Sequence, residues 1–168
     1  MMEMSSDIFP EGETSDLEKD RVRLWLRILK ISRAVETELR ERMRTRFNST
    51  LPRFDVMAAL YRHREGLKMT ELSAALRVSN GNVTGIIERL VTEKFVERIP
   101  IPNDRRAMKV RLTPKGREEF APMARTHQIW INEMLEEIGE TDAAVVSSLL
   151  DINLNINRSS KSGGGKNE

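Results

Sequence analysis

Apolar positions recur at helical spacing along most of this chain, and the pattern gives way to alternation in one region. Trp25, Ile28, Leu29, Ser32, Val35, Leu39 and Met43 form a stripe that predicts a helix from Asp16 to Phe47. Asn48-Ser49-Thr50 breaks it, and Pro52 suits the first turn of a second helix whose Phe54, Met57, Ala58, Leu60 and Tyr61 read as mostly core. Gly66 stops that helix, and Leu67-Lys68-Met69 has room only for a short strand. Thr70 is placed to cap a helix carrying Leu72, Ala75 and Leu76 on one face. After the break at Arg77-Val78-Ser79, Ser79 is placed to cap a further helix with Val83, Ile86, Ile87 and Leu90 at helical spacing. Alternation then takes over from Phe95 to Ile101 and from Lys109 to Thr113, with turn chemistry at Pro102-Asn103-Asp104, which predicts a hairpin. A second long helix follows from Lys115 to Ile138 along Phe120, Ala124, His127, Ile131, Met134 and Ile138, tolerating Pro122 in its first turns and stopping at Gly139. Thr141 is placed to cap a last helix with Val145, Val146, Leu149, Leu150 and Ile156 on its apolar face.

This order predicts a mainly α chain with a small β-hairpin wing, that is, a winged helix-turn-helix head over residues 52–114 flanked by long dimerisation helices over 16–47 and 115–157. Two short helices joined by a tight turn can set the second in the major groove of DNA, with its N-terminal residues against base edges. The residues there suit the task. Asn80 and Asn82 carry donor and acceptor together, Ser79 and Thr84 are hydroxyls, and Gly81 and Gly85 leave the backbone bare. An exposed polar face is common, but two glycines weaken a helix by about 1 kcal/mol each, a cost that close approach to DNA would explain. Arg105 and Arg106 are expected at the hairpin tip, within reach of phosphates or the minor groove, with Asp104 orienting one of them.

The same stretch resembles the MarR family of transcriptional regulators. The resemblance is carried by Leu76-Arg77-Val78-Ser79, Val83-Thr84, Glu88-Arg89-Leu90, Val96-Glu97-Arg98, the run Asp104-Arg105-Arg106-Ala107 and Leu112-Thr113-Pro114-Lys115-Gly116-Arg117. It spans nearly all of Leu24 to Ile156. Where the family usually has glycine, at the end of the recognition helix, this chain has Lys94, which must turn left-handed or end the helix differently.

Composition narrows the reading. The net charge of +2 hides an uneven layout, because Met1 to Asp20 holds seven acidic residues and one Lys, leaving about +8 on the rest. Residues 1–15, acidic and without periodicity, are expected to be disordered, as is the Gly-rich tail 158–168; residues 16–157 read as one domain. The tail carboxylates are also candidates to compete with DNA phosphate for the basic surface. The chain has no Cys, which removes disulfides and thiolate chemistry, and its two histidines, His63 and His127, offer no metal site. No phosphate loop or nucleophile motif is present, and Glu118-Glu119 and Glu136-Glu137 are adjacent rather than a turn apart, so no catalytic residue, metal or cofactor is expected. No apolar run approaches a membrane span, and the expected location is the cytoplasm.

The flanking helices carry more apolar stripe than a small monomer buries, which predicts an intertwined homodimer reading palindromic double-stranded DNA, with half-sites about 34 Å apart. The resemblance implies the same arrangement, and implies repression relieved by an effector. Without Cys, the peroxide-sensing branch of the family is disfavoured, leaving a small molecule. The family lodges effectors such as aromatic acids between the dimer helices and the head, which implies Ile28, Ser32, Phe54, Met57, Ala58 and His127, with Arg33 as a carboxylate partner. Some relatives sense acyl-CoA thioesters, for which the run Arg40 to Arg46 offers a phosphate site, although such a run is most often a solvated face with cations favoured at a helix end. An architectural DNA binder without a ligand is the alternative reading.

Overall fold

The computed structural model describes residues 15–77, 80–101 and 104–159; side chains are described throughout these except at 80, 104–107 and 152–159. The acidic tail, the capping role of Ser79, the Pro102-Asn103 turn and the C-terminal tail lie outside the described residues. Helix α1 runs from Asp16 to Phe47, as the stripe predicts, and its start is set by a reciprocal cap. The Ser15 N–H donates to Glu18 Oε2 at 2.8 Å, while the Glu18 N–H donates to Ser15 Oγ at 3.3 Å. At the other end Asn48 takes a left-handed conformation (φ 47°), which turns the chain into α2, Leu51–Arg62. There Thr50 caps, accepting the Arg53 N–H at 3.3 Å. Strand β1 (Leu67–Lys68), α3 (Met69–Leu76), α4 (Asn80–Thr92), β2 (Val96–Ile101), β3 (Asp104–Leu112), α5 (Pro114–Met134) and α6 (Glu140–Ser159) follow.

The three strands form one antiparallel sheet in the order β1-β3-β2, with Leu67 opposite Val110 and Val96 opposite Leu112. Gly66 makes β1 possible. It has φ +79°, and a Cβ there would lie 2.8 Å from the Val110 carbonyl oxygen. The core of the head is apolar and closed: Met43 from α1, Met57 and Leu60 from α2, Leu72 from α3 and Val83, Ile87 and Leu90 from α4 are all fully buried.

Several predicted details are corrected. Helix α3 is capped at Lys68, not Thr70, because the Lys68 N–H donates to the Glu71 carboxylate at 2.7 Å and Thr70 falls inside the first turn. Ala75 is exposed, and Ser73 takes its place beside Leu72 in the interior. Tyr61, expected in the core, is 41% exposed, with its ring against Phe120. Helix α5 starts at Pro114 and stops at Met134 rather than at Ile138. Beyond it the Ile138 N–H donates to the Leu135 carbonyl in a tighter turn, and Glu136 and Glu137 sit where the helix dipole disfavours carboxylates. Helix α6 starts at Glu140 rather than after Thr141. Gly139 supplies the first carbonyl, to the Ala143 N–H at 2.9 Å, and Glu140 and Asp142 suit the positive end of the helix.

The chain divides into two compact units between Gln128 and Ile129. The first holds α1 through most of α5. The second holds the end of α5, where Trp130 is buried although the predicted stripe passes it over, and α6, whose Val145, Val146 and Leu149 are each about half exposed (52%, 48% and 56%). In the first unit, Leu17, Leu24, Trp25 and Ile31 on α1 are 59%, 57%, 57% and 44% exposed, whereas Ile28, Leu29 and Val35 of the predicted stripe are half-buried.

Candidate nucleic-acid interface

Helix α4 turns one face fully inward. Val83, Ile87 and Leu90 have no exposure, and a 100° step per residue then puts Gly81 and Gly85 on the opposite pole, with Asn82 and Thr84 to either side. All four are exposed. A Cβ added at Gly81 or Gly85 would meet nothing within 4 Å, so no contact in this fold requires either glycine. The outward pole of the first turns of α4 is therefore bare backbone between two small polar side chains. Asn80 opens the helix.

The wing differs from the expected hairpin. The register pairs Pro100 with Met108 but the adjacent Ile101 with Asp104, so Arg105, Arg106 and Ala107 form an extra length of β3 bulged out of the ladder. The two arginines thus belong to the returning strand rather than to the turn, because strand pairing resumes at Asp104. Below the bulge the wing is held by the Arg111–Glu97 ion pair at 2.7 Å, between residues that face each other across the strands.

Helix and wing meet in a joint built around Phe95. The Phe95 N–H donates to the Leu90 carbonyl at 2.9 Å and the Lys94 N–H to that of Val91 at 3.0 Å, a Schellman end in which Lys94 takes φ 64°. The left-handed option is the one realised. The Phe95 carbonyl accepts the Thr113 N–H at 3.0 Å, and the Thr113 hydroxyl donates to the Lys94 carbonyl at 2.8 Å while accepting the Gly116 N–H at 3.0 Å. Gly116 lies so near that a Cβ would fall 2.0 Å from the Phe95 oxygen. Lys115 and Arg53 place their charges 4.6 and 5.6 Å from the centre of the Phe95 ring. Arg53 also pairs with Glu93, one bond measuring 3.0 Å, which holds the Glu93 carboxyl below its ordinary range. The motif Leu112 to Arg117 is therefore where α4, the wing and α5 are fastened together. Sequence spacing alone could not reveal this, since the contact is between backbone atoms distant in the chain.

Of the residues expected at an effector site, Phe54 and His127 are brought together, their rings stacked at 4.5 Å, with the Phe120 ring 5.3 Å from that of Phe54. Burial lowers the His127 pKa. Met57 is fully buried, and Ala58 and Ile28 are half-buried. Ser32 and Arg33 are exposed, and Arg33 lies on the solvent side of α1 with Glu36, Arg40, Glu41 and Arg44. The arginine run there is internally matched: Arg40 pairs with Glu36 at 2.5 Å, Arg42 with Glu38 at 2.7 Å and Arg44 with Glu41 at 2.6 Å. Among the described residues no acidic, His or Cys group could hold a metal, and no helix is long and apolar enough to cross a membrane.

A polar helix face over a three-helix core, followed by a two-stranded wing with a third strand at its base, defines the class as winged helix-turn-helix. Known proteins sharpen this. The MarR family profile matches residues 49–108, from the start of α2 into the wing. The chain is 30% identical over 74 residues to the HTH-type transcriptional regulator BilQ of Clostridioides difficile, a match spanning 44% of this chain and 50% of that protein. It thus spans about half the length of that curated relative. The crystal structure of a MarR family transcriptional regulator from Silicibacter pomeroyi is 31% identical, with a TM-score of 0.69 over 84% of this chain and 98% of that one. A crystal structure of a mutant MarR from Escherichia coli complexed with operator DNA is 27% identical, with a TM-score of 0.69 over 83% and 99%. The chain belongs to the MarR family, whose members are transcriptional regulators rather than enzymes.

Proposed function

We propose that this protein is a homodimeric, sequence-specific DNA-binding repressor that occupies a palindromic operator and is released by a small-molecule effector. The observation that carries the reading is the outward pole of α4, where polar Asn82 and Thr84 flank two glycines that no packing contact demands. An operator-bound relative of the same fold supports it. Ser79, Asn80, Asn82 and Thr84 read base edges in the major groove, Arg105 and Arg106 reach phosphate or the minor groove from the bulged strand, and Asp104 orients an arginine. The exposed apolar side chains of α1 (Leu17, Leu24, Trp25, Ile31) and of α6 (Val145, Val146, Leu149) form the dimer interface. Ile28, Ser32, Phe54, Met57, Ala58 and His127 form the effector site, with Arg33 as carboxylate partner. A free aromatic acid is favoured over an acyl-CoA thioester, because Arg40, Arg42 and Arg44 are each matched by a glutamate one turn away and hold little charge in reserve for phosphates. An effector releases DNA by binding more tightly to a dimer whose head spacing misses successive major grooves.

The test is fluorescence anisotropy on DNA from upstream of the protein's own gene, with excess unrelated DNA as competitor and aromatic acids and their CoA thioesters as challengers. Saturable, competitor-resistant binding released by an aromatic acid is the expected result. Equal binding to every duplex would mean an architectural protein instead.

Two substitutions probe the interface itself. Gly85→Ala gains helix propensity at an exposed position and will raise stability by about 0.5–1 kcal/mol, read from a urea melt. It will nonetheless weaken operator binding by about tenfold, the scale of one spoiled base-pair contact. Unchanged binding would show that α4 does not lie close to DNA. Arg106→Ala will lower affinity for all duplexes alike and flatten the dependence of log K on log salt by roughly one, whereas Asn82→Ala will relax preference at one base position. Salt titrations and a panel of single-base operator variants separate the two, and identical behaviour of both proteins would refute the division of labour.

A further inference from the structure

Residues directly opposite in an antiparallel pair share a face, so Val96, Arg98 and Pro100 of β2 lie with Leu112, Val110 and Met108 of β3 on one side of the wing. At the base of the wing this face is interior: Val96, Val110 and Leu112 are 2%, 1% and 3% exposed. At its outer end the apolar row runs into solvent. Pro100 is exposed and Met108 is 41% exposed, immediately beside the bulge that carries Arg105 and Arg106. An arm that met only phosphate would gain nothing from an uncovered apolar pair there, whereas the deoxyribose walls of a minor groove offer it a complementary surface. The thioether is suited to this, being flexible and polarizable enough to settle against an irregular wall.

Met108 also differs from the other described methionines in access. Met43 and Met57 have no exposure, Met123 has 3%, and Met69 and Met134 are half-buried. A two-electron oxidant such as hydrogen peroxide transfers one oxygen atom to a thioether; sulfur is oxidised to the sulfoxide and the peroxide is reduced to water. The product is polar and no longer suits an apolar wall. We propose that Met108 is an apolar DNA contact of the wing, and that its exposed thioether is where peroxide-type oxidants weaken operator binding. This rests on the DNA-binding reading above and adds to it a contact and an oxidant response that need no cysteine.

The experiment compares the full-length protein untreated and treated with hydrogen peroxide, together with Met108→Leu and Met108→Gln, by anisotropy on the same operator DNA. Oxidation is located by peptide mass spectrometry and folding is checked by circular dichroism. Peroxide is expected to lower wild-type affinity by about tenfold while the fold persists, the scale of one lost groove contact. Met108→Gln should show a similar loss without oxidant. In both cases the salt slope stays unchanged, because no phosphate contact is lost. Met108→Leu, which keeps an apolar side chain at the contact and every other methionine, should lose no affinity on peroxide treatment. Wild-type affinity for Met108→Gln, or a full peroxide effect in Met108→Leu, would overturn the proposal while leaving the DNA-binding reading intact. Failure of the untreated protein to bind any DNA would overturn that reading, and this proposal with it.

Discussion

Replacing Gly116 by alanine will cost about 3 kcal/mol or more of stability, seen as a fall in Tm of roughly 6–12 °C. The reason is the kind of atom in the way. A Cβ at this position would lie 2.0 Å from the oxygen, 2.9 Å from the carbon and 3.1 Å from the Cα of Phe95. These are backbone atoms, and the same carbonyl accepts the Thr113 N–H, so relief requires the wing to move away from the start of α5. A flexible side chain could yield; this joint cannot. Gly85→Ala is the matched control, since it adds the same methyl group where nothing lies within 4 Å. Opposite signs for the two glycines are expected in one set of melts, and a Gly116→Ala protein as stable as wild type would refute the account of the joint.

For the proposed homodimer, charging the exposed apolar positions of α1 with Leu24→Glu and Ile31→Glu is expected to give a folded monomer. Both side chains are largely exposed within the protomer, 57% and 44%, so their replacement leaves its own core untouched, yet two carboxylates buried between subunits would have no partner. Sedimentation velocity should give a single species of protomer mass with an unchanged circular dichroism spectrum. Operator affinity should fall by roughly 10²-fold or more, because each head then binds without the effective concentration supplied by the other. A dimer that survives both substitutions would place the subunit contact elsewhere.

Much of this organisation is legible in the residues, for identifiable reasons. The bounds of α1 follow from its stripe and from the break at Asn48 to Thr50, signals that act locally and so survive folding unaltered. The exposed positions of Asn82 and Thr84 follow from the spacing of Val83, Ile87 and Leu90 in the same way. What misleads is competition between local signals. Thr70 is a good capping residue, but Glu71 reaches back to Lys68 and fixes the helix start two residues earlier. Asp104 completes a plausible turn, yet strand pairing reclaims it, which moves Arg105 and Arg106 from the turn into a bulge. The importance of Gly116 is hidden altogether, because it depends on a carbonyl 21 residues away that only the folded chain brings near.

The strand order carries a consequence for how the chain comes to be folded. Strand β1 precedes α3 and α4, but its partner β3 follows them, so Leu67 meets Val110 only after the whole helix-turn-helix has been passed. During synthesis, α2, α3 and α4 leave the ribosome first and can associate through contacts between neighbours in sequence, which close quickly. The sheet cannot. Until residue 110 has emerged, the edge of β1 has no partner, and closing that long loop is entropically costly. The wing is thus the last part of the head to be set, and a nascent chain stalled before Lys109 would carry α4 on an unlocked frame.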